Sequence, residues 1–326
     1  DKPNARKVHH GLIPRLGGLA IYAGFMVSIL CTVGISFEMV GIMLGATVLV
    51  LVGVVDDVYS LPAKVKLLGQ IFSAAIVVIG FGIHIDWLVL PMAGLIYLPA
   101  LISIPLTIFW IIGFINTVNL IDGLDGLAAG VAAIASVAIA MLAFQMGQWE
   151  SAACMVAMAG SALAFLQYNF NPAKIFMGDT GSTFLGYMLA TVSIMGLFKF
   201  YAVISFAVPF LILGLPIFDT ANAIIRRVAA GRSPMSPDRG HVHHKLIDMG
   251  FNQKQAVAIL YAISATLGLT AVVLTSSGEV KAVVLLAAVL AAILVGACII
   301  YGAEHWGKQQ NKNSNQAAQE EKNKHE

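Results

Sequence analysis

The chain has 326 residues, of which 59% are hydrophobic and 11% are charged, whereas soluble domains carry about 25% charged residues. Its mean hydropathy of +0.85 excludes an ordinary soluble domain, because too little polar sequence remains to coat so large an apolar core. The net charge of +2 gives no indication of nucleic-acid binding. Three cysteines, Cys31, Cys154 and Cys298, lie in separate apolar runs without the spacing of a metal site.

Apolar runs of roughly 20 residues, the length that a helix needs to cross the hydrocarbon core, recur along the chain. Backbone groups in lipid must be satisfied within their own segment, so these runs are predicted to be helices. The fold class predicted is therefore all-α, a polytopic integral membrane bundle of about ten transmembrane helices. The predicted spans are residues 19–35, 39–55, 67–83, 100–118, 127–146, 152–168, 183–197, 202–218, 256–274 and 282–301.

The connections between these spans divide into two sets on alternate faces of the membrane. All but two of the 19 Lys and Arg residues lie in one set, the exceptions being Lys199 and Lys281. Positive residues accumulate on the cytoplasmic side, so this set is predicted to be cytoplasmic. It also holds the unusual aspartates and histidines, and ionisable groups at membrane depth are usually functional. We therefore expect an active site on the cytoplasmic face of the membrane.

This division predicts the domain organisation. Residues 1–302 are expected to form a single transmembrane catalytic domain, with active-site loops near residues 56–66, 116–126, 169–182 and 226–250. Residues 303–326 are rich in Gln, Asn, Lys and Glu, a composition typical of a disordered tail.

The first candidate site element is the pair Asp56 and Asp57 at the end of a predicted span, followed by Lys64 and Lys66. Adjacent carboxylates repel each other unless a cation neutralises them. Hard oxygen ligands suit Mg²⁺ or Mn²⁺. An exposed pair that caps a helix would have the same sequence, so both interpretations stay open.

The second element, residues 116–126, places Asn119, Asp122 and Asp125 at a bend between two spans. Its glycines allow backbone to approach a ligand closely, although a single Asp-Gly is an ordinary turn. The third element runs from Asn169 to residue 182, and Asp179 opens a helix there. The N–H groups of a helix N-terminus suit a phosphate, whereas simple capping explains only one polar residue of the run.

The fourth element is the loop over residues 226–250, which combines arginines, among them Arg239, with His241, His243 and His244. Arginine binds phosphate in a bidentate manner. Zinc binding by the histidines is an alternative, but no Cys or nearby Glu completes a familiar zinc site. Carboxylates that bind a metal and cations that bind phosphate, gathered on one face, are the combination that phosphoryl transfer requires. The Walker and Rossmann phosphate-binding sequences are both absent.

Taken in this order, the four elements resemble the motifs of the polyprenyl-phosphate N-acetylhexosamine-1-phosphate transferases of glycosyltransferase family 4, which are related to phospho-MurNAc-pentapeptide transferase. The resemblance extends from residue 1 to about residue 251. It implies a phosphoglycosyl transferase that moves a sugar-1-phosphate from a UDP-sugar to undecaprenyl phosphate and releases UMP, with Mg²⁺ or Mn²⁺ as cofactor.

The resemblance also implies roles for single residues. It implies that Asp56, Asp57 and Asp179 are catalytic and hold the metal ion. The residues for which it implies substrate binding are Lys64, Lys66, Asn119, Asp122, Asp125, Asn169, Arg239, His241, His243 and His244.

The sequence of residues 231–239, which precedes the histidines, is similar to the group that uses N-acetylglucosamine and initiates polymers such as teichoic acid or O-antigen. The partners implied are UDP-N-acetylglucosamine, undecaprenyl phosphate and membrane lipid, and a homodimer is compatible with the sequence. A phospho-MurNAc-pentapeptide transferase and an anion transporter are the alternatives. Family members typically have eleven spans, so a count of about ten predicts a further helix before Asp1.

Overall fold

A computed structural model describes residues 13–90, 94–196, 207–233 and 240–276 of the protein. Within these residues the chain forms eleven α-helices and one two-stranded hairpin. The helices are α1 (Gly17–Thr32), α2 (Phe37–Tyr59), α3 (Ala63–Ala75), α4 (Ala100–Ile121), α5 (Leu127–Gln145), α6 (Trp149–Asn169), α7 (Gly178–Gly196), α8 (Ala207–Ile212), α9 (Gly214–Ala229), α10 (Val242–Asp248) and α11 (Gln253–Ser276). A π-helical turn, Ile76–Gly80, extends α3.

Six helices among the described residues are long and apolar enough to cross a membrane: α2, α3 with its π-helical turn, α4, α5, α6 and α11. Helix α1 is apolar but shorter. The predicted class, a polytopic helical membrane protein, is therefore confirmed. The last predicted span, residues 282–301, and the predicted tail lie outside the described residues.

Helix α7 is the centre of the bundle. Every residue of α7 except Asp179 is buried, and the helix packs against α1, α2, α4, α5 and α6. Because protein surrounds α7, it can carry threonines, serines and glycines that a lipid-facing helix would use less freely. Small residues let helix backbones approach closely in membrane proteins. A methyl group added at Gly186 would lie 2.7 Å from both the Cα of Ile115 and the carbonyl oxygen of Phe114, which belong to α4.

The connection between α3 and α4 contains a hairpin that the all-α prediction lacked. Strands β1 (Trp87–Leu90) and β2 (Gly94–Tyr97) pair in antiparallel fashion, with Trp87 opposite Tyr97. The segment before β1 is fixed to α4, because the Ile85 N–H donates to the Thr107 hydroxyl at 3.0 Å. Short strands of this kind lack the long apolar run that identified the helices.

The predicted span over residues 202–218 was wrong in its limits. Among the described residues, α8 ends at Ile212 and α9 continues to Ala229. Helix α9 buries Asp219, Thr220 and Arg227 on one face and exposes Ile225 and Val228 on another. A helix that keeps its polar side toward the protein interior has low overall hydropathy, so a search for apolar runs does not detect its second half.

We predict that Gly186→Ala destabilises the protein by about 1–3 kcal/mol, because the backbone atoms of α4 cannot yield to the added methyl group. The matched control is Gly160→Ala in the middle of α6, where an added Cβ meets no atom within 4 Å. That change should be neutral or stabilising, since alanine favours helix. Thermal unfolding in detergent compares the two variants, and equal effects would contradict the close α4–α7 packing.

Candidate active site

One end of the bundle gathers the polar residues of all four sequence elements. The end of α2, the start of α3, the end of α4, the start of α7 and helices α9 and α10 surround a cavity of about 810 Å³. Seven of the predicted site residues line it: Asp56, Lys66, Asn119, Asp179, His241, His243 and His244. The fold thus brings together side chains that are far apart in sequence.

The charged mouth of this cavity is formed by Asp56, Lys66 and Asp179. The Lys66 ammonium lies 2.5 Å from the Asp56 carboxylate and donates to Asp179 Oδ2 at 2.8 Å. Asp56 also accepts the Leu61 N–H at 2.7 Å, which fixes its orientation at the end of α2. Lys64, by contrast, is exposed. Lys66 is therefore the lysine in direct contact with the acidic residues.

The Asp57 carboxylate points to the start of α7. Its oxygens accept the N–H of Asp179 at 2.9 Å, the N–H of Thr180 at 3.0 Å and the Thr180 hydroxyl at 2.7 Å. The first N–H groups of a helix have no partner within the helix, so Asp57 supplies the missing acceptors. Gly178 has φ +68°, and a Cβ there would meet the Asp57 carboxylate. Asp57 thus holds the turn that carries Asp179.

Asp125 and Asn169 organise the loops around the site. Asp125 Oδ2 accepts the Ala173 N–H at 3.0 Å and the Asn171 amide at 2.9 Å. Buried Asn169 accepts the Gly126 N–H at 3.0 Å and donates to the Ile175 carbonyl at 2.9 Å. These bonds join the α4–α5 connection to the α6–α7 connection. The side chains of both residues are engaged in hydrogen bonds within the protein, and neither residue lines the cavity.

Asp122 follows the last residue of α4. Burial, together with the negative charges of Asp179 and Asp57, raises its pKa to about 7, and Arg15 partly opposes this rise. The aspartates from three sequence elements therefore share one electrostatic environment. A cation bound there would be attracted by all of them.

The histidines are held by α9. Asp219 Oδ2 lies 2.9 Å from His241 Nδ1, and Asp219 Oδ1 accepts the Val242 N–H at 2.8 Å. The His241 and His243 rings are nearly parallel, with centroids 5.6 Å apart. His243 packs against Gly123, where an added Cβ would lie 2.5 Å from its Nε2. Burial and the neighbouring His244 lower the pKa of His243 to about 3.

Sequence reasoning missed three polar residues that line the cavity, Gln70, Thr183 and Thr220. Asn116 and Arg227, which also line it, lie within the predicted second and fourth elements but had no individual role assigned. Gln70 lies one helical turn after Lys66, so helical spacing would have placed both on one face. Arg239 lies outside the described residues.

The site offers carboxylate oxygens to the predicted Mg²⁺ or Mn²⁺. Two carboxylates, Asp56 and Asp179, already converge on one cation, the Lys66 ammonium. Within the described part of the chain, no three His, Cys, Asp or Glu side chains form a ready metal site. Mg²⁺ is usually held by one or two carboxylates together with substrate phosphates and water, so Asp56 and Asp179 fit this metal.

The fold and the site define a class: a polytopic membrane protein with a charged cavity at one end of its helices. Residues 39–197 match the glycosyl transferase family 4. A relative in Bacillus subtilis (strain 168), described as a "Probable undecaprenyl-phosphate N-acetylglucosaminyl 1-phosphate transferase", is 41% identical over 279 residues, which are 85% of this chain and 77% of the relative. The chain belongs to glycosyl transferase family 4.

Two further relatives extend the comparison. The decaprenyl-phosphate N-acetylglucosaminephosphotransferase of Mycolicibacterium smegmatis is 34% identical, over 79% of this chain and 71% of that protein. The undecaprenyl-phosphate alpha-N-acetylglucosaminyl 1-phosphate transferase of Escherichia coli O157:H7 is 31% identical, over 92% of this chain and 83% of that protein.

We predict that Asp57→Ala lowers stability by about 1–3 kcal/mol, because two backbone N–H groups at the start of α7 lose their acceptors. Asp57→Asn retains one acceptor oxygen and should fall between Asp57→Ala and the wild type. Exposed Asp248 provides the control Asp248→Ala, which should unfold like the wild type. Thermal unfolding measures all four proteins, and an unchanged Asp57→Ala would contradict the capping role.

We predict that His243 remains neutral at pH 5. Its pKa of about 3 lies below the value of about 6.5 for an unfolded chain. The unfolded state therefore binds one more proton between these values, and the contribution of His243 to stability decreases as pH falls below 6.5. Carbon NMR of labelled histidines measures the protonation, with His243→Gln identifying the signal. A midpoint of His243 protonation near pH 6.5 would contradict the burial of its ring.

Proposed function

We propose that this protein transfers N-acetylglucosamine-1-phosphate from UDP-N-acetylglucosamine to undecaprenyl phosphate and releases UMP. Membership of glycosyl transferase family 4 and the activities named for relatives at 41% and 31% identity support this assignment. The enzyme is a phosphoglycosyl transferase of the bacterial plasma membrane. Its product is the lipid-linked sugar from which a cell-envelope polymer such as teichoic acid or O-antigen is extended.

One observation carries the proposal: a charged mouth and an apolar wall belong to the same cavity. Asp56, Lys66 and Asp179 form the mouth, and the wall beyond them is built by residues such as Leu49, Ile112 and Ile217. Phe109, on this wall, is 74% exposed, so the cavity opens on the outer surface of the bundle. An isoprenoid phosphate has the same two parts, a charged head and an apolar chain.

The reaction is a displacement at the β-phosphorus of the UDP-sugar. An oxygen of the lipid phosphate forms a new bond to that phosphorus, and the bond to the bridging oxygen of UMP breaks. UMP leaves with that oxygen and its electron pair. Because the chemistry needs mainly alignment and charge neutralisation, positioned cations can supply most of the catalysis.

The contacts of the residues support the following proposed roles. Lys66, which lies between two carboxylates, holds the lipid phosphate. Asp56 is one of these two carboxylates. It accepts a proton from the lipid phosphate when the lipid phosphate arrives protonated. Asp179 and Asp56 would hold Mg²⁺ or Mn²⁺, which neutralises diphosphate charge when bound. Asp57 positions Asp179 through the α7 backbone.

The donor occupies the rest of the charged end. The proposed contacts of the UDP-sugar are Asn119, Asp122, Arg239, His241, His243 and His244. His243 is neutral there, so it contributes a hydrogen-bonding ring without adding charge. Asp125 and Asn169 hold the surrounding loops. The excess of Lys and Arg in connections at this end supports a cytoplasmic location for the site.

Purified protein in nanodiscs, incubated with UDP-N-acetylglucosamine, undecaprenyl phosphate and Mg²⁺, should release UMP and form a lipid-linked sugar. If UDP-MurNAc-pentapeptide is accepted as donor and UDP-N-acetylglucosamine is not, the protein is instead the peptidoglycan enzyme. Omission of the lipid phosphate separates two mechanisms. Radioactive sugar phosphate bound covalently to the protein under that condition would overturn the direct displacement.

We predict that Lys66→Met lowers kcat by about 100-fold to 1,000-fold, because one positioned cation at developing charge contributes about this much. Lys64→Met is the matched control, since Lys64 is exposed two residues away and should retain nearly full activity. Asp179→Asn should be inactive while it remains folded. UMP release measures the three variants. Equal losses for both lysine variants would refute the role given to Lys66.

A further inference from the structure

A polar zone lies between the charged mouth and the apolar wall of the cavity, and the reaction proposed above does not use it. Gln70 on α3 and Asn116 on α4 face each other there as an amide pair. Gln70 is only 5% exposed. An amide pair at this depth requires an explanation, because an apolar wall would suit an isoprenoid chain better.

The orientation of the pair follows from the α4 backbone. The Asn116 amide nitrogen donates to the Ile112 carbonyl and to Gln70 Oε1, both at 2.8 Å. This arrangement turns Gln70 Nε2 toward Asn116 Oδ1, but that contact is long, 3.4 Å. Among the described residues it is the one hydrogen bond that Gln70 Nε2 donates. A buried donor with two N–H groups is therefore underused in the cavity wall.

Thr220 on α9 adds a second, independent observation. Its side chain lines the same cavity and is 9% exposed. Within the part of the chain that the structure describes, its hydroxyl oxygen is buried without a hydrogen-bond partner. Buried hydroxyl groups without partners are rare and costly in native proteins. A ligand atom in the cavity would supply the missing partner.

Helix geometry places Gln70 next to Lys66, the proposed contact of the lipid phosphate. Gln70 follows Lys66 by four residues on α3, which corresponds to a rise of about 6 Å along the helix. In the proposed reaction, a lipid phosphate held by the Lys66 ammonium, with its chain along the apolar wall, would direct its ester oxygen toward this zone. The ester oxygen accepts hydrogen bonds and carries no proton, so it suits donors such as Gln70 Nε2 and the Thr220 hydroxyl.

We propose that Gln70 and Thr220, with Asn116 orienting Gln70, form a recognition site for the ester oxygen of the acceptor lipid. This inference rests on the proposed function, which supplies the isoprenoid phosphate. The site selects a phosphate ester over an isosteric head group that lacks the bridging oxygen. It also sets the depth at which the phosphate stops beside Lys66.

Equilibrium binding in nanodiscs tests this site without any donor substrate. The two ligands are undecaprenyl phosphate and its phosphonate, in which a methylene group replaces the ester oxygen, compared at a pH where both are dianions. Wild-type protein should bind the phosphate about 3-fold to 10-fold more tightly, the value of one or two neutral hydrogen bonds. In Gln70→Leu this preference should fall to about one.

Two further variants separate recognition from structural support. Thr220→Val should weaken the preference. It should retain thermal stability, because the hydroxyl group that it removes is buried and unpaired. Ser73→Ala on the same helix removes a buried hydrogen bond to the Gly45 carbonyl, so it should lower stability and leave the preference unchanged.

The outcomes of the two proposals are distinct. If Gln70→Leu and Thr220→Val both keep the wild-type preference for the ester, the recognition site is refuted, even in an active enzyme. If Gln70→Leu does not fold, Thr220→Val decides. If wild-type protein binds the lipid with the expected preference but releases no UMP, the proposed function fails and the recognition site stands.

Discussion

The first N–H groups of helix α7 have no acceptors within the helix, and the need to satisfy them organises the site. Asp57 supplies acceptors for the N–H groups of Asp179 and Thr180. With that turn fixed, the Asp179 side chain lies against Lys66, whose ammonium also contacts Asp56. Burial on nearly all sides of α7 makes the turn rigid, and catalytic positioning requires rigidity.

The adjacent aspartates of α2 show how one dipeptide serves two purposes. Consecutive residues on a helix project about 100° apart, so Asp56 and Asp57 cannot both face the same point. Asp56 faces the cavity and Lys66, whereas Asp57 faces the α7 backbone. Asp56 therefore contacts a cation, the Lys66 ammonium, and Asp57 caps a helix, α7, whereas the metal ion predicted for the pair stays a proposal.

The helical class and the clustering of polar loops could be predicted from sequence, because both depend on the strong local signal of long apolar runs. The contacts that select single residues are tertiary. Sequence did not distinguish Lys64 from Lys66, since only the contacts of the Lys66 ammonium with Asp56 and Asp179 do so. Gln70 and Thr220 looked like ordinary helix residues until the fold placed them in one wall. The predicted span ends at residue 218, before the end of α9, because the buried polar face of α9 reduces its hydropathy.

The cavity therefore changes in polarity along its length: ions at the mouth, amide and hydroxyl groups next, and hydrocarbon beyond. An amphiphilic acceptor that lies in this gradient makes complementary contacts at every depth, and only one depth satisfies all of them. Such a gradient fixes the phosphate by its own polarity profile, without a lid over the chain. In the proposed reaction the donor would approach the same phosphate from the side of α10, where Asp219 holds His241. Two substrates of opposite solubility could thus meet at one cation, the Lys66 ammonium.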